Sequence, residues 1–286
     1  MRLLRVGEPG RETPAVLDSD GVLRDARPVV TDYDAAFLQT LPNALDPRQI
    51  AGFPELATGL RIGPPVARPG KIVCVGLNYR EHARETGAAE PAEPILFMKA
   101  PDTVVGPDDD VLLPLGSEAS DYEVELAVVI GTTARYLTDD VDPLRHVAGY
   151  AISNDVSERS FQLERGGQWD KGKNCETFNP LGPWLITTDE IPDPQSLELS
   201  VRVNGEQRQH STTADMIFDV AFLIRYISQF MTLYPGDVIN TGTPQGVGMG
   251  FTPPRYLAPG DVMELTIGGL GTQRQHIRRA SREMPS

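Results

Sequence analysis

Only one stretch of this chain, Asp215 to Leu233, carries apolar residues at helical spacing over several turns. Ile217, Val220, Phe222, Leu223, Ile224, Ile227, Phe230 and Met231 form its broad apolar face. Elsewhere the apolar residues fall in short runs stopped by turn formers. Lys71 to Gly76, Val111 to Leu113, Val124 to Ile130 and Tyr150 to Ser153 read as strands, and Asn78 to Thr86 as a short helix. Gly205 separates Val201 to Asn204 from Glu206 to Arg208, and a turn followed by a strand recurs at Pro235 to Ile239 and at Pro259 to Met263. A helical bundle is excluded. The chain is expected to be mostly β (α+β), with few helices and many turns.

The first 65 residues read as a small unit of their own, residues 1–65. Leu3 to Val6 and Pro14 to Leu23 are strand-like, and Asp20-Gly21 between Leu17 and Val22 signals a hairpin. Pro28, Pro42, Pro47 and Pro54 interrupt the rest of this unit, and Gly63-Pro64-Pro65 to Pro69-Gly70 marks a linker. Residues 70–286 then form the main body, with a polar tail after Arg278.

The formal net charge of -14 repels nucleic acid and anionic membranes, so neither is an expected partner. It also means that an anionic substrate would need a local reversal of the field, for which a bound cation is the usual device. No apolar run reaches the roughly 18 residues of a membrane span, and the first residues are too short and too soon charged for a signal peptide. Cys74 and Cys175 fit neither a disulfide framework nor a zinc spacing, and suit a reducing compartment. The cytoplasm is the expected location.

Against this background, Asp121-Tyr122-Glu123-Val124-Glu125-Leu126 runs straight into an apolar strand. Residues two apart on a strand share a face, so Asp121, Glu123 and Glu125 are expected to point the same way. Carboxylates aligned beside an apolar run repel, and a divalent cation compensates; oxygen ligands select Mg²⁺, Mn²⁺ or Ca²⁺. A lone Glu-x-Glu is more often a solvated strand end. A second apolar strand, Tyr150 to Ser153, also ends near a carboxylate, Asp155, and strengthens the metal reading.

The chain resembles the fumarylacetoacetate hydrolase family. The resemblance rests on Val75 to Glu85, on Asp121 to Leu126, on Asn154 to Gln162 with Trp169 to Pro183, and on Tyr234 to Gly248 with its Thr241-Gly242-Thr243-Pro244-Gln245-Gly246-Val247-Gly248. It spans Lys71 to about Gly250, and Gly166 to Lys173 looks closest to members that cleave 2,4-dioxo-3-deoxy sugar acids, with ureidoglycolate-lyase-named members also similar. It implies a rolled β-sheet catalytic domain behind the small N-terminal β-containing domain, and a homodimer. It further implies Glu123, Glu125 and Asp155 as metal ligands, with Mg²⁺ or Mn²⁺ as cofactor. Lys173 would be the pocket lysine, His82 and Glu85 a dyad on a lid, and Arg159, Gln162, Lys99 and Thr243 the substrate-side residues.

The chemistry of these residue types agrees. A 2-oxo acid offers a carboxylate and a keto oxygen to one ion, which cancels substrate charge and favours the enolate of pyruvate. His82 and Glu85, three apart on a helix, share a face, and the carboxylate fixes the imidazole tautomer so that the free nitrogen can take a proton from water. Lys173 can polarise the attacked carbonyl or act as a counter-ion; Lys171 is its neighbour, and spacing does not choose between them. Cys175 reads as an inert thiol, and Trp169 and Phe178 as packing. The expected activity is Mg-dependent hydrolysis of a C–C bond in a 2,4-dioxo acid of the acylpyruvate type, giving a 2-oxo acid and a carboxylic acid. The alternatives keep the site and change the reaction: decarboxylation of oxaloacetate, isomerisation of 2-hydroxyhepta-2,4-diene-1,7-dioate, or a ureidoglycolate lyase reaction. A metal-stabilised binding protein without turnover is the alternative of another class, and the presence of both His82 and Glu85 argues against it.

Overall fold

The computed structural model describes residues 1–41 and 44–283, so Pro42 and the last residues of the polar tail lie outside the described residues. Strands dominate. The first nine are β1 (Arg2–Val6), β2 (Thr13–Leu17), β3 (Leu23–Asp25), β4 (Ile62–Gly63), β5 (Ile72–Gly76), β6 (Ile95–Lys99), β7 (Val104–Val105), β8 (Val111–Leu113) and β9 (Ser120–Asp121). The others are β10 (Val124–Ile130), β11 (Val147–Asn154), β12 (Ser157–Glu158), β13 (Asn179–Thr187), β14 (Glu198–Val203), β15 (Glu206–Thr212), β16 (Val238–Asn240), β17 (Val262–Ile267) and β18 (Gly271–Arg279). The α-helices are short: α1 (Ala35–Leu38), α2 (Pro47–Ile50), α3 (Arg80–Glu85), α4 (Arg159–Leu163), α5 (Asp170–Lys173) and α6 (Val220–Ile227). None is long and apolar enough to cross a membrane among the described residues.

The large sheet runs β3-β2-β1-β13-β11-β10-β16-β5-β6, and a second sheet runs β15-β14-β17-β18-β8. β10 explains how they stack. It is buried along its whole length, and its alternate side chains enter different cores. Val124, Leu126, Val128 and Ile130 pack with Leu199, Val201, Met263 and Leu265 of the second sheet. Ala127 and Val129 pack with Leu3, Tyr33 and Leu38 of the N-terminal segment. Each buried Val, Leu or Ile contributes roughly 1.5–3 kcal/mol. A one-residue slip would exchange the two sets, so this burial fixes the register, and with it the face on which Glu123 and Glu125 emerge.

The N-terminal segment is joined to the body more closely than its sequence pattern implies. The expected hairpin is present, with Leu17 opposite Leu23, but β1 also pairs with β13, Leu3 lying opposite Leu185. The boundary at 65–70 is thus a change in chain pattern, and the two sides share one sheet and one core. The expected long helix at 215–233 is shorter. Asp219 caps α6, its carboxylate accepting from the Phe222 N–H, and the helix ends at Ser228. The remaining apolar residues serve other contacts: Leu233 bridges to Ala134 as an isolated strand pair.

Candidate active site

β10 and β11 run antiparallel, with Val124 opposite Asn154 and Glu125 opposite Ser153. Continuing that register places Asp155 beside Glu123, and the Asp155 N–H donates to the Glu123 carbonyl at 2.9 Å. Glu125, two residues along, shares the face of Glu123. One carboxylate oxygen from each of Glu123, Glu125 and Asp155 therefore lies within 4.8 Å of the other two, all three side chains being buried.

Two ammonium groups meet this cluster, on different oxygens of Asp155. Lys173 Nζ, at the end of α5, donates to Glu123 Oε2 and Asp155 Oδ2, both at 2.8 Å. Lys99 Nζ, at the end of β6, pairs with Asp155 Oδ1 and donates to the Val156 carbonyl. Lys99 is 1% exposed and does not line the cavity. Its expected place on the substrate side is corrected to one behind the cluster, where it holds Asp155. Lys171 points away, its ammonium bonded to the Arg165 carbonyl.

Arg159 opens α4 and is clasped by Glu123 Oε1 at 2.6 Å, by Asp121 Oδ2 at 3.0 Å and by Gln162 Oε1 at 3.0 Å. Asp121 reaches the same guanidinium nitrogen as Glu123 but is not one of the three carboxylates that cluster. The strand breaks at Tyr122, and Asp121 pairs with β12 while its carboxylate accepts the N–H groups of Tyr122, Gly248 and Met249. Those donors and Arg159 fill its lone pairs, an arrangement that strand alternation cannot foresee.

Glu125 has no ion-pair partner among the described residues. The Gly242 N–H donates to it at 2.7 Å. Gly242 has φ +97°, and a Cβ there would lie 2.7 Å from Asn78 Cβ, so only glycine turns that N–H onto Glu125. Burial, followed by the charges of Asp155 and Glu123, pushes the Glu125 carboxyl well above the usual carboxylate range. Glu123 goes the other way: burial raises it, but Lys173 and Arg159 outweigh burial and bring it to about 2. For Lys173, burial favours the neutral amine, yet Asp155 and Glu123 win and the ammonium is held above its ordinary range. An all-oxygen triad with one uncompensated carboxylate is the donor set that a hard divalent cation satisfies.

Glu125 thus makes opposite demands with and without a cation. Its raised pKa means that it adds stability below the ordinary carboxylate range, and that this is lost as pH rises through the raised value. Glu125→Gln carries the neutral form at every pH. In chelator at about pH 8 we expect this variant to melt above the wild-type chain by a few degrees, at roughly 2–4 °C per kcal/mol for a domain of this size. The gap should close as pH falls, and added Mg²⁺ should raise the melting temperature of wild type alone. Thermal melts with and without Mg²⁺ across that pH range check this, and a variant that melts below wild type throughout contradicts it.

The cavity over the triad measures about 190 Å³ and is lined by Glu123, Glu125, Arg159, Gln162, Lys173, Thr243 and His82 among others. It is large enough for a small organic acid, and it opens to solvent beside Leu163, which is 47% exposed. His82 and Glu85 come from α3. His82 Nδ1 lies 3.2 Å from Glu85 Oε2, and Glu85 Oε1 accepts the Gly246 N–H at 2.9 Å. The dyad is thereby pinned to the same 241–248 segment that holds Glu125. Thr243 lines the cavity, but its hydroxyl proton is committed to the Val124 carbonyl, and Gln209 donates to its oxygen. Gln162 holds Arg159 through its amide oxygen, which leaves its amide nitrogen for a ligand.

Sequence reasoning passed over the opposite wall. Trp169, expected only to pack, lines the cavity with Leu77, Phe97, Leu163 and Met249. The signal lay in Gly76: a Cβ there would sit 2.5 Å from the Trp169 ring, so the bare backbone is what admits the indole. Phe178 does pack, fully buried in the main core. Both cysteines are free, and burial pushes the Cys175 thiol up to about 11, too high for a nucleophile at neutral pH.

This rolled-sheet fold with a carboxylate-floored cavity defines an enzyme class. The family model for the fumarylacetoacetate (FAA) hydrolase C-terminal domain matches residues 71–278. The chain belongs to the fumarylacetoacetate hydrolase family and is an enzyme of that family. Among its relatives, a 2,4-didehydro-3-deoxy-L-rhamnonate hydrolase of Sphingomonas sp. (strain SKA58) is 49% identical over 278 residues, 97% of this chain and 96% of that one. The solved structure of a fumarylacetoacetate hydrolase from psychrophilic Exiguobacterium antarcticum is similar at a TM-score of 0.87 and 37% identity, covering 98% of this chain and all of its own. A maleylpyruvate hydrolase from Sphingobium sp. SYK-6, solved with manganese(II) and pyruvate, is similar at a TM-score of 0.80 and 28% identity over the same shares.

Proposed function

We propose that the chain hydrolyses a C–C bond of a 2,4-dioxo acid of the acylpyruvate type, releasing a 2-oxo acid and a carboxylic acid, with Mg²⁺ as its cofactor. The observation that carries this reading is one cavity lined both by carboxylates of a triad that could hold a cation and by His82, which Glu85 orients. A binding module has no need of the dyad. The named activities of the Sphingomonas and Sphingobium relatives, and the manganese and pyruvate in the latter's structure, support the same class.

Glu123, Glu125 and Asp155 would hold the ion, which when bound supplies positive charge for the 2-oxo acid group and for the anion left as the bond breaks. The chain's own residues do the rest. Glu85, fixed by Gly246, orients His82 through Nδ1 and leaves Nε2 to take a proton from water. Lys173, held as the ammonium by Glu123 and Asp155, offers positive charge to the oxygen of the attacked C4 carbonyl. Arg159 and Gln162 present a fixed polar edge, since each holds the other.

The test is pyruvate release, followed with lactate dehydrogenase, on a panel of acylpyruvates beside oxaloacetate. We expect Mg²⁺-dependent release from the acylpyruvates. Release from oxaloacetate alone would make the chain a decarboxylase.

We also propose that the enzyme works as a homodimer in the cytoplasm. Phe218, Phe222, Tyr226 and Phe230 form a run of neighbouring rings on and beside α6 with centroids 4.9–5.9 Å apart, of which Phe222 and Phe230 are exposed, at 42% and 63%. Such a stripe supports a partner surface, and the free cysteines support a reducing compartment. Light scattering should return about twice the 31.2 kDa chain mass, and a clean monomer would remove the dimer from the account.

A further inference from the structure

The cations around the cavity are all held at the triad end. Arg159 is clasped by Asp121, Glu123 and Gln162, and Lys173 by Glu123 and Asp155. Lys99 sits behind the cluster on Asp155. Among the described lining residues no other lysine or arginine appears. A substrate with one carboxylate can be served at the floor. A second carboxylate at the far end would meet no positive partner, and burying it unpaired is strongly unfavourable.

What it would meet is hydrocarbon. Leu77, Ala88, Phe97, Leu163, Trp169 and Met249 make up most of the remaining lining, and the hydroxyl of Thr86, also there, is bonded to its own helix. Phe97 marks the border: Lys173 Nζ lies 5.0 Å above its ring, and Trp169 packs edge-on against it with centroids 5.6 Å apart. Gly76 keeps the backbone bare so that Trp169 can close the wall.

Resting on the reaction proposed above, we infer that Phe97, Trp169 and Leu163 form a specificity wall that selects 2,4-dioxo acids whose acyl end is short and uncharged, and that rejects dicarboxylates. Each methylene placed on the wall should improve binding by up to about fourfold, until the cavity is full. An acyl carboxylate should forfeit that gain and add a desolvation cost.

A matched pair tests this: 2,4-dioxoheptanoate and 2,4-dioxoheptanedioate, the same chain ending in a carboxylate. We expect kcat/KM to favour the monoacid by about 100-fold or more, the scale set by an unpaired buried charge. Leu163 is 47% exposed at the rim, so Leu163→Arg can place a cation there without opening the core. It should raise kcat/KM for the diacid and shrink the ratio to about tenfold or less. Trp169→Ala should raise KM for the monoacid, and Trp169→Phe should recover part of the loss. Equal or better turnover of the diacid by the wild-type enzyme, or no gain for it in Leu163→Arg, would overturn the wall. If neither acid released pyruvate, the reaction reading would fail by itself. Calorimetric Kd values for both acids with Mg²⁺ would still decide the selectivity, tighter monoacid binding upholding it and equal binding overturning it.

Discussion

Chelation of divalent cations should reduce turnover by on the order of 10³-fold or more, the scale of several kcal/mol of lost charge stabilisation. Mg²⁺ or Mn²⁺ should restore it. The reason lies in the imbalance of the triad. Lys173 and Lys99 answer Asp155, and Lys173 and Arg159 answer Glu123, but no ammonium or guanidinium answers Glu125 among the described residues. On the proposed reading a bound cation would both favour ionised Glu125 and turn an acidic floor into one that accepts an anion. Asp155→Ala is a poor test, because it takes from buried Lys99 its ion-pair partner and from Lys173 one of its two, and should cost roughly 3–5 kcal/mol of stability. Asp155→Asn keeps the shape, and should lower metal affinity at a smaller cost to the fold. The check is activity against metal content in samples stripped and reloaded. Full activity in a rigorously metal-free sample would end the metal account.

His82→Ala should lower kcat on the best acylpyruvate by on the order of 10²–10⁴, the range for loss of a general base. The triad is made by β10, β11 and the residues that flank them, whereas His82 belongs to α3. Metal binding should therefore be unchanged. So should the affinity for oxalate, a planar dianion shaped like the enolate of pyruvate. Glu85 should hold its place in the variant, since the Gly246 N–H anchors it independently. Calorimetry with oxalate and steady-state kinetics form the paired measurement. A variant that turns over at the wild-type rate would remove the water-activating dyad and bring the decarboxylase reading forward, in which the cation and Lys173 suffice.

How far the sequence reveals the molecule differs from residue to residue. The mostly-β architecture was legible because the apolar residues fall in short runs stopped by turn formers, with a single stretch at helical spacing. β10 shows the limit: its continuous apolar run announced burial on both faces, but only the structure shows that alternate residues enter different cores. The extent of α6 was misjudged because apolar spacing records exposure to a core, and Leu233 reaches its core as part of a bridge to Ala134. The family resemblance pointed to the residues that meet in the cavity, Glu123, Glu125, His82, Arg159, Gln162 and Lys173. It misplaced Lys99, because a lysine at a strand end says nothing of the side from which it approaches Asp155. Asp121 was lost to the backbone donors of Gly248 and Met249, more than 120 residues away in the chain. Trp169 was read as packing because its partner is a missing side chain, that of Gly76.

The central claim is that water, activated in this cavity, cleaves a carbon–carbon bond. Turnover of an acylpyruvate in ¹⁸O-labelled water with Mg²⁺, with products resolved by mass spectrometry, addresses it most directly. The account predicts pyruvate and the carboxylic acid in equal amounts, with one solvent oxygen in the new carboxylate. Carbon dioxide as the product, or an isomer of unchanged mass, would contradict it.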